Sequence, residues 1–264
     1  MTSPTIRIRG LTKRFGDTIA LGGLDLEVYP GEIFGYVGRN GAGKTTTIRI
    51  LCGILDDFEG QVSVCGHDVA TDSFAVKRLV GYVPETAALY DELTAMEFLR
   101  FVGTLYDLEE TDLEGRAHTL LDCFGLAAEA DSRLGTFSKG MRQKVLISGA
   151  LLHDPEVLVL DEPLSGLDAH AVVVVKEVLT QLSRAGKTIF YSSHVLDVVE
   201  RVCNRIALID AGAIVASGSF DELQALARGG SLERIVTDLT STGEHAATAA
   251  RIVAAVRGTT PVAR

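Results

Sequence analysis

Gly38-Arg39-Asn40-Gly41-Ala42-Gly43-Lys44-Thr45 sets glycines, a lysine and a hydroxyl at the spacing GxxxxGK[ST]. Such a loop can wrap an anion: glycines let backbone amides converge on phosphate oxygens, and a helix that follows adds the positive end of its dipole. On this reading Lys44 reaches the β- and γ-phosphates, Thr45 offers its hydroxyl to Mg2+, and Thr46 completes the phosphate-binding set. The loop lies between an apolar run, Ile33 to Val37, and a stretch of helical period, which is the context the pattern requires.

A second group follows the apolar run Val157-Leu158-Val159-Leu160, where Asp161 and Glu162 stand side by side. Ligands of open α/β sheets bind at the C-terminal ends of strands. Asp161 is expected to hold Mg2+ through its water shell, and Glu162, projecting past the strand, to polarise the water that attacks the γ-phosphate. Alone, such a pair would serve equally well as a helix cap or a solvated turn; the phosphate loop tips the balance. Ser138, before a predicted helix, reads as an N-cap whose neighbouring free amides also suit an anion. Phe15 and His194, taken singly, would be assigned to packing and to a cap or core position.

These residues need a scaffold. Alternation predicts strands at Thr5 to Arg9 and Leu24 to Val28, with turns at Phe15-Gly16-Asp17 and Tyr29-Pro30-Gly31. After Gly43 the pattern turns helical, with Ile48, Leu51 and Cys52 on one face and Gly53 as the stop. From about Thr86 to His153 the chain reads as mainly helical. It opens with a capping box at Thr94 and Glu97, buries a face of Phe98, Phe101, Val102 and Leu105, and continues in a helix from Asp112 to Phe124. The run at 157–160 suits a parallel strand covered on both faces. Then come a helix at His170 to Arg184, a strand at Thr188 to Tyr191 and a helix at His194 to Val202. A hairpin follows, from Arg205 to Ser217 through Asp210-Ala211-Gly212. A capping box at Ser219 and Glu222 starts a helix ending before Gly229-Gly230, and a helix is expected at Leu232 to Leu239. The alanine-rich remainder after Gly243 reads as helical or disordered. We see no internal repeat.

Composition narrows the classes. At 264 residues and 47% hydrophobic, the chain supports one sizeable core, with at most a subdomain. No stretch of 18 apolar residues is present, and Met1-Thr2-Ser3-Pro4 lacks a basic segment followed by an apolar one, so neither a membrane span nor a secretory signal is expected. Cys52, Cys65, Cys123 and Cys203 form no metal-ligand spacing and read as small buried hydrophobes. A formal net charge of -10 argues against broad binding to nucleic acid.

The phosphate loop, Phe137-Ser138-Lys139-Gly140-Met141-Arg142-Gln143, Asp161-Glu162-Pro163, Ser165-Gly166-Leu167-Asp168 and Ser193-His194 occur in an order and spacing that resemble the ATP-binding subunits of ABC transporters. The resemblance covers about residues 5 to 228. It implies an α/β P-loop NTPase core with an N-terminal antiparallel β subdomain and a helical insert at about 86–153, making residues 1–228 a cassette and 229–264 a tail. It implies ATP and Mg2+ as ligands, a head-to-tail homodimer on ATP binding, and a separately encoded integral-membrane permease docked near Glu85 to Glu97. The chain would then sit peripherally on the cytoplasmic face of the cell membrane. By the same resemblance Ser138 and Gly140 would contact the γ-phosphate across the dimer, His194 would bind it in the same subunit, Asp168 would link the two sites, and Phe15 would stack on adenine.

Two positions depart from the family pattern. The usual signature Leu-Ser-Gly-Gly-Gln is here Phe-Ser-Lys-Gly-Met, which brings in Lys139, and Glu85 stands where glutamine commonly ligates Mg2+. Both changes resemble bacterial ATPases that serve exporters, so the expected role is an ATP-hydrolysing motor for export. A soluble ABC ATPase acting on ribosomes or DNA is the alternative, but this chain has neither paired cassettes nor a long coiled coil. A small-molecule P-loop kinase would leave Ser138, Asp168 and His194 unexplained.

Overall fold

The computed structural model describes residues 3–86, 89–194, 196–226, 231–240 and 245–256, without the side chains of 237–240 and 245–250. In chain order the elements are β1 (Ile6–Phe15), β2 (Thr18–Val28), β3 (Ile33–Gly38), α1 (Lys44–Leu51), β4 (Glu59–Val64), β5 (His67–Asp68), α2 (Ser73–Leu79) and β6 (Val80–Val83). Then follow α3 (Ala95–Leu105), α4 (Glu110–Cys123), α5 (Lys139–Leu151), β7 (Val157–Asp161), α6 (Ala169–Arg184) and β8 (Thr188–Ser192). The last are α7 (Leu196–Val202), β9 (Arg205–Asp210), β10 (Ala213–Gly218), α8 (Phe220–Leu226), α9 (Leu232–Thr240) and α10 (His245–Val256).

Strand β7 is apolar on both faces up to its terminal Asp161, so it must lie inside a sheet covered on both sides. It sits there, in the order β10-β9-β3-β8-β7-β6, with β9, β3, β8, β7 and β6 parallel and β10 an antiparallel edge. Val157 and Val159 point to one core with Tyr36, Ile48 and Phe190; Leu158 and Leu160 point to the other with Tyr191, Leu99 and Val145. The first core is closed by the antiparallel sheet β2-β1-β4-β5, the second by α3, α4 and α5. The expected α/β class with an antiparallel subdomain and a helical layer is therefore what the chain forms.

Local signals hold. The Thr94–Glu97 box closes with Glu97 N–H donating to Thr94 Oγ1 over 3.1 Å and Thr94 N–H to Glu97 Oε2 over 2.8 Å. The Ser219–Glu222 box closes in the same way. Ala211 and Gly212 take φ of 46° and 78°, the left-handed pair that a tight hairpin requires. The expected stop at Gly229-Gly230 lies outside the described residues.

Other expectations need correcting. Only half of the face expected to be buried is so: Phe98 is buried and Val102 packs partly buried against the core, but Phe101 is 44% and Leu105 61% exposed, while Met96 and Leu99 are buried. The helix is apolar on more than one side. Gly103 selects the inner one, because α4 approaches so closely that a side chain there would meet Leu113 at 2.3 Å. Among the cysteines only Cys52 is buried; Cys65 and Cys203 are partly covered and Cys123 is exposed. Strands β4, β5 and β6 and helix α2 were not anticipated. The helix expected at Leu232 to Leu239 does form, as α9, which buries Leu232 and Ile235, and the remainder read as helical or disordered contains α10.

One half-buried group is expected to give the fold a pH dependence. The His153 ring stacks on Tyr106 with centroids 3.6 Å apart, and neither ring nitrogen has a hydrogen-bond partner. Burial lowers its pKa to about 4. The unfolded chain takes up this proton below about pH 6.5 and the folded chain does not until about pH 4, so the stabilisation is complete above pH 6.5 and is lost as pH falls through that window. Between pH 7.5 and 4.5, His153→Phe should gain on the parent by about 1 kcal/mol in denaturant unfolding, the partly solvated ring tempering the full linkage value. A gap between the two that does not change with pH would reject the assignment.

Candidate active site

The site starts where β3 ends. Gly38 packs so tightly on β9 that a Cβ would fall 2.3 Å from the Ile209 carbonyl oxygen. The loop then turns through Gly41 and Gly43, at φ 81° and 106°. Gly43 caps α1 without a side-chain hydrogen bond, so the first-turn amides are left for a ligand at the positive end of the helix. Lys44 is buried, and its Nζ donates to the carbonyls of Gly38 at 2.8 Å and Arg39 at 3.2 Å, which curls the ammonium back against the loop.

Parallel register brings the second group alongside. Asp161 at the end of β7 and Tyr36 in β3 both align with Ser192 of β8, so three strand ends share one edge of the sheet. Thr45 Oγ1 donates to Asp161 Oδ2 over 2.9 Å, and Asp161 is 1% exposed. Glu162 follows at φ 51°, a left-handed conformation that costs a non-glycine residue about 1–3 kcal/mol and persists only when its surroundings enforce it. Its N–H donates to the Ser192 carbonyl over 2.9 Å, and its carbonyl accepts from the Ser165 N–H over 3.1 Å. Its buried carboxylate accepts from Ser193 Oγ at Oε2 over 3.0 Å and meets His194 Nδ1 at Oε1 over 2.8 Å.

The result is a cleft of about 350 Å³ lined by Asn40, Gly41, Gly43, Lys44, Thr45, Thr46, Glu85, Asp161, Glu162 and Ala20. Most of the expected phosphate and metal residues thus converge. Gly38, Arg39 and Ala42 shape the loop without lining the cleft, and His194 joins it through Glu162. The sequence reading missed two contributors. Ala20 comes from β2 of the other sheet, and Ser193 was quoted in a motif without a role of its own.

Among the described residues no group of three His, Cys, Asp or Glu could enclose a metal alone. The oxygens of Thr45, Asp161 and Glu85 fit a different kind of site, in which a hard cation takes one or two carboxylates and fills its shell with water and phosphate. Mg2+ suits that set.

Four further expected residues lie away from both the cleft and its loop. Phe15, at the tip of the β1–β2 hairpin, is 51% exposed, with Lys13 Nζ 4.9 Å from its ring centroid. Ser138 caps α5, accepting from Met141 N–H over 3.3 Å, and Gly140 follows in the first turn. Asp168 caps α6 by accepting from Ala171 N–H over 2.8 Å and pairs with Lys144 at 3.0 Å. The amide bond first and Lys144 second hold its carboxyl below the usual range. In one copy of the chain none of these four lines the cleft.

The family model described as ABC transporter matches residues 21–165. The Nod factor export ATP-binding protein I of Cupriavidus metallidurans is 37% identical over 218 residues, 83% of this chain and 72% of that protein. A solved ATP-binding subunit of an ABC transporter superposes with a TM-score of 0.84 at 33% identity, covering 89% of this chain and 99% of that one. A dimeric ATP-binding cassette in a post-hydrolysis state with ADP and phosphate shares the fold at a TM-score of 0.75 and 24% identity, over 81% of this chain and 98% of that one.

Proposed function

This chain belongs to the ABC transporter family as one of its ATP-binding, ATP-hydrolysing subunits, and from that premise we propose how its own residues divide the work and what it drives. The observation that carries the reading is the convergence of Lys44, Thr45, Asp161 and Glu162 on one cleft at the C-terminal edge of the sheet.

Phe15 stacks on adenine. The amides of Asn40 to Thr46 and the Lys44 ammonium, released from the Gly38 and Arg39 carbonyls, take up the β- and γ-phosphates. Thr45, Asp161 and Glu85 hold Mg2+, which neutralises phosphate charge when bound. Glu162, oriented by Ser193 and His194, accepts a proton from the attacking water as the new bond to the γ-phosphorus forms and the bond to the bridging oxygen breaks. His194 also contacts the γ-phosphate.

The exposure of Ser138, with the partly covered Gly140 two residues on, away from the cleft supports a homodimer in which a second copy presents them to the nucleotide, with Asp168 linking the two sites. We take residues 1–228 as the cassette, with its insert at about 86–153, and 229–264 as the tail. No described helix is long and apolar enough to cross a membrane. The likeness to ATP-binding subunits of transporters supports a transport path through a separately encoded integral-membrane permease. A largely apolar groove of about 470 Å³ formed by Tyr90, Leu93 and Phe101, with Asp91 and Glu92 also in its lining, fits that partner at the cytoplasmic face of the membrane. The Lys139 and Glu85 variants and the export relative favour export.

Affinity purification of the ATP-trapped Glu162→Gln chain from gently solubilised cells should recover a polytopic membrane protein at comparable stoichiometry. Adding Phe101→Asp should reduce that recovery at least about tenfold without loss of nucleotide binding, as expected when an exposed aromatic anchor is replaced by charge. Recovery of ribosomes or DNA-associated factors instead would reject the transport reading.

A further inference from the structure

The segment that follows Glu162 is fastened along one face of α5. Residues 139, 140, 143 and 144 stand at i, i+1, i+4 and i+5 and share that face. Lys139 Nζ donates to Ser165 Oγ over 2.7 Å, and its methylene stem lies where a side chain at Gly166 would be, 3.0 Å from an added Cβ. Gly140 passes so close that a Cβ would sit 2.5 Å from the Gly166 carbonyl oxygen. The buried Gln143 donates to the Pro163 carbonyl over 3.0 Å, and Lys144 pairs with Asp168 at 3.0 Å. Ser165 in turn donates its N–H to the Glu162 carbonyl. Two hydrogen bonds therefore run from the Lys139 ammonium to the backbone of Glu162, the residue held at φ 51°.

We propose that Lys139 is a positioning residue for hydrolysis: by holding Ser165 it keeps the Glu162 turn in its left-handed setting and ties that setting to the position of α5. This rests on the reading of Glu162 as the base. The glycine that the usual signature carries at this position has no side chain to make the contact, so the link belongs to the Phe-Ser-Lys-Gly-Met version. Lys144 has a carboxylate for its partner, whereas Lys139 has a neutral hydroxyl, which makes Lys139 the more readily exchanged end of the clamp. Because Ser138 caps the same helix, a ligand that engages the N-terminus of α5 would shift the clamp. Glu162 would then respond to events at the other nucleotide of the dimer.

The test measures ATP turnover and nucleotide affinity for the full chain, Lys139→Met, Ser165→Ala, the double variant and Lys139→Arg. Both single variants should lower kcat about five- to tenfold with nucleotide affinity unchanged, the double variant should be no worse than the poorer single one, and arginine should restore at least half of the turnover. Parental turnover in Ser165→Ala beside a slow Lys139→Met would overturn the proposal, because the lysine would then act on something other than Ser165. Parental turnover in both would overturn it as well. A parental chain that does not hydrolyse ATP would overturn the reading of Glu162 and the clamp with it, whereas an active parent with an unaffected Lys139→Met would overturn the clamp alone.

Discussion

Glu162→Gln is expected to slow ATP turnover by at least about a hundredfold while leaving ATP affinity within about twofold of the parent. The substitution keeps the size and planarity of the side chain and removes only its ability to accept a proton at neutral pH. An amide oxygen can still accept from Ser193 Oγ or His194 Nδ1, and the backbone bonds to Ser192 and Ser165 do not involve the side chain, so the turn at φ 51° survives. Nucleotide affinity survives because the phosphate loop and Lys44 stand on β3 and α1, which the substitution does not touch. With binding intact and turnover stopped, ATP should accumulate a dimer visible by light scattering, and ADP should not. Phosphate release within about threefold of the parent would remove Glu162 from the role of base and leave the rest of the cleft standing.

Lys44→Ala should do the opposite, weakening ATP and ADP binding by about thirty- to a hundredfold. A charge-assisted hydrogen bond to phosphate contributes about 1.5–3 kcal/mol, and the buried ammonium has no neighbouring cation in the cleft lining to replace it. The fold should be little affected. Without ligand Lys44 satisfies only the carbonyls of Gly38 and Arg39, which a water entering the vacated space can reach, and alanine favours the first turn of α1. Calorimetric titration with ATP, compared with the denaturant midpoint in its absence, separates the two effects. Unchanged affinity would reject the phosphate role of the lysine, and a collapsed midpoint would show its main duty to be structural.

Several features of this protein were written in short stretches of sequence. The hairpin at Ala211-Gly212, the capping boxes at Thr94 and Ser219 and the helix stop at Gly53 each depend on a few adjacent residues, whose backbone preferences and local hydrogen bonds act before any tertiary contact. The doubly covered sheet was legible in the apolar run at 157–160, since a strand with no polar face admits no other environment. The phosphate loop was legible for the same reason: its glycines and lysine are contiguous.

Elsewhere the local pattern misled. Strands β1 and β2 extend well past the predicted alternation because their pairing is broken by irregularities between Ile8 and Leu11, Leu11 and Thr12, and Lys13 and Arg14, each of which resets which face a residue shows. Helix α2 runs directly into β6 with no turn residue between them, so composition offered no boundary. In α3 only the close approach of α4 at Gly103 decided that Leu99 faces inward and Phe101 outward.

The sequence by itself determined the class of fold and the chemistry in reach, because both depend on periodicity and on residue types set side by side. Only the tertiary structure decided that Ser193 and His194 orient Glu162, that Ala20 closes the cleft, and that Lys139 reaches Ser165. Those pairs are far apart along the chain. Strand order and register bring them together, and these come from the packing of two cores on one sheet, which no short stretch of residues encodes.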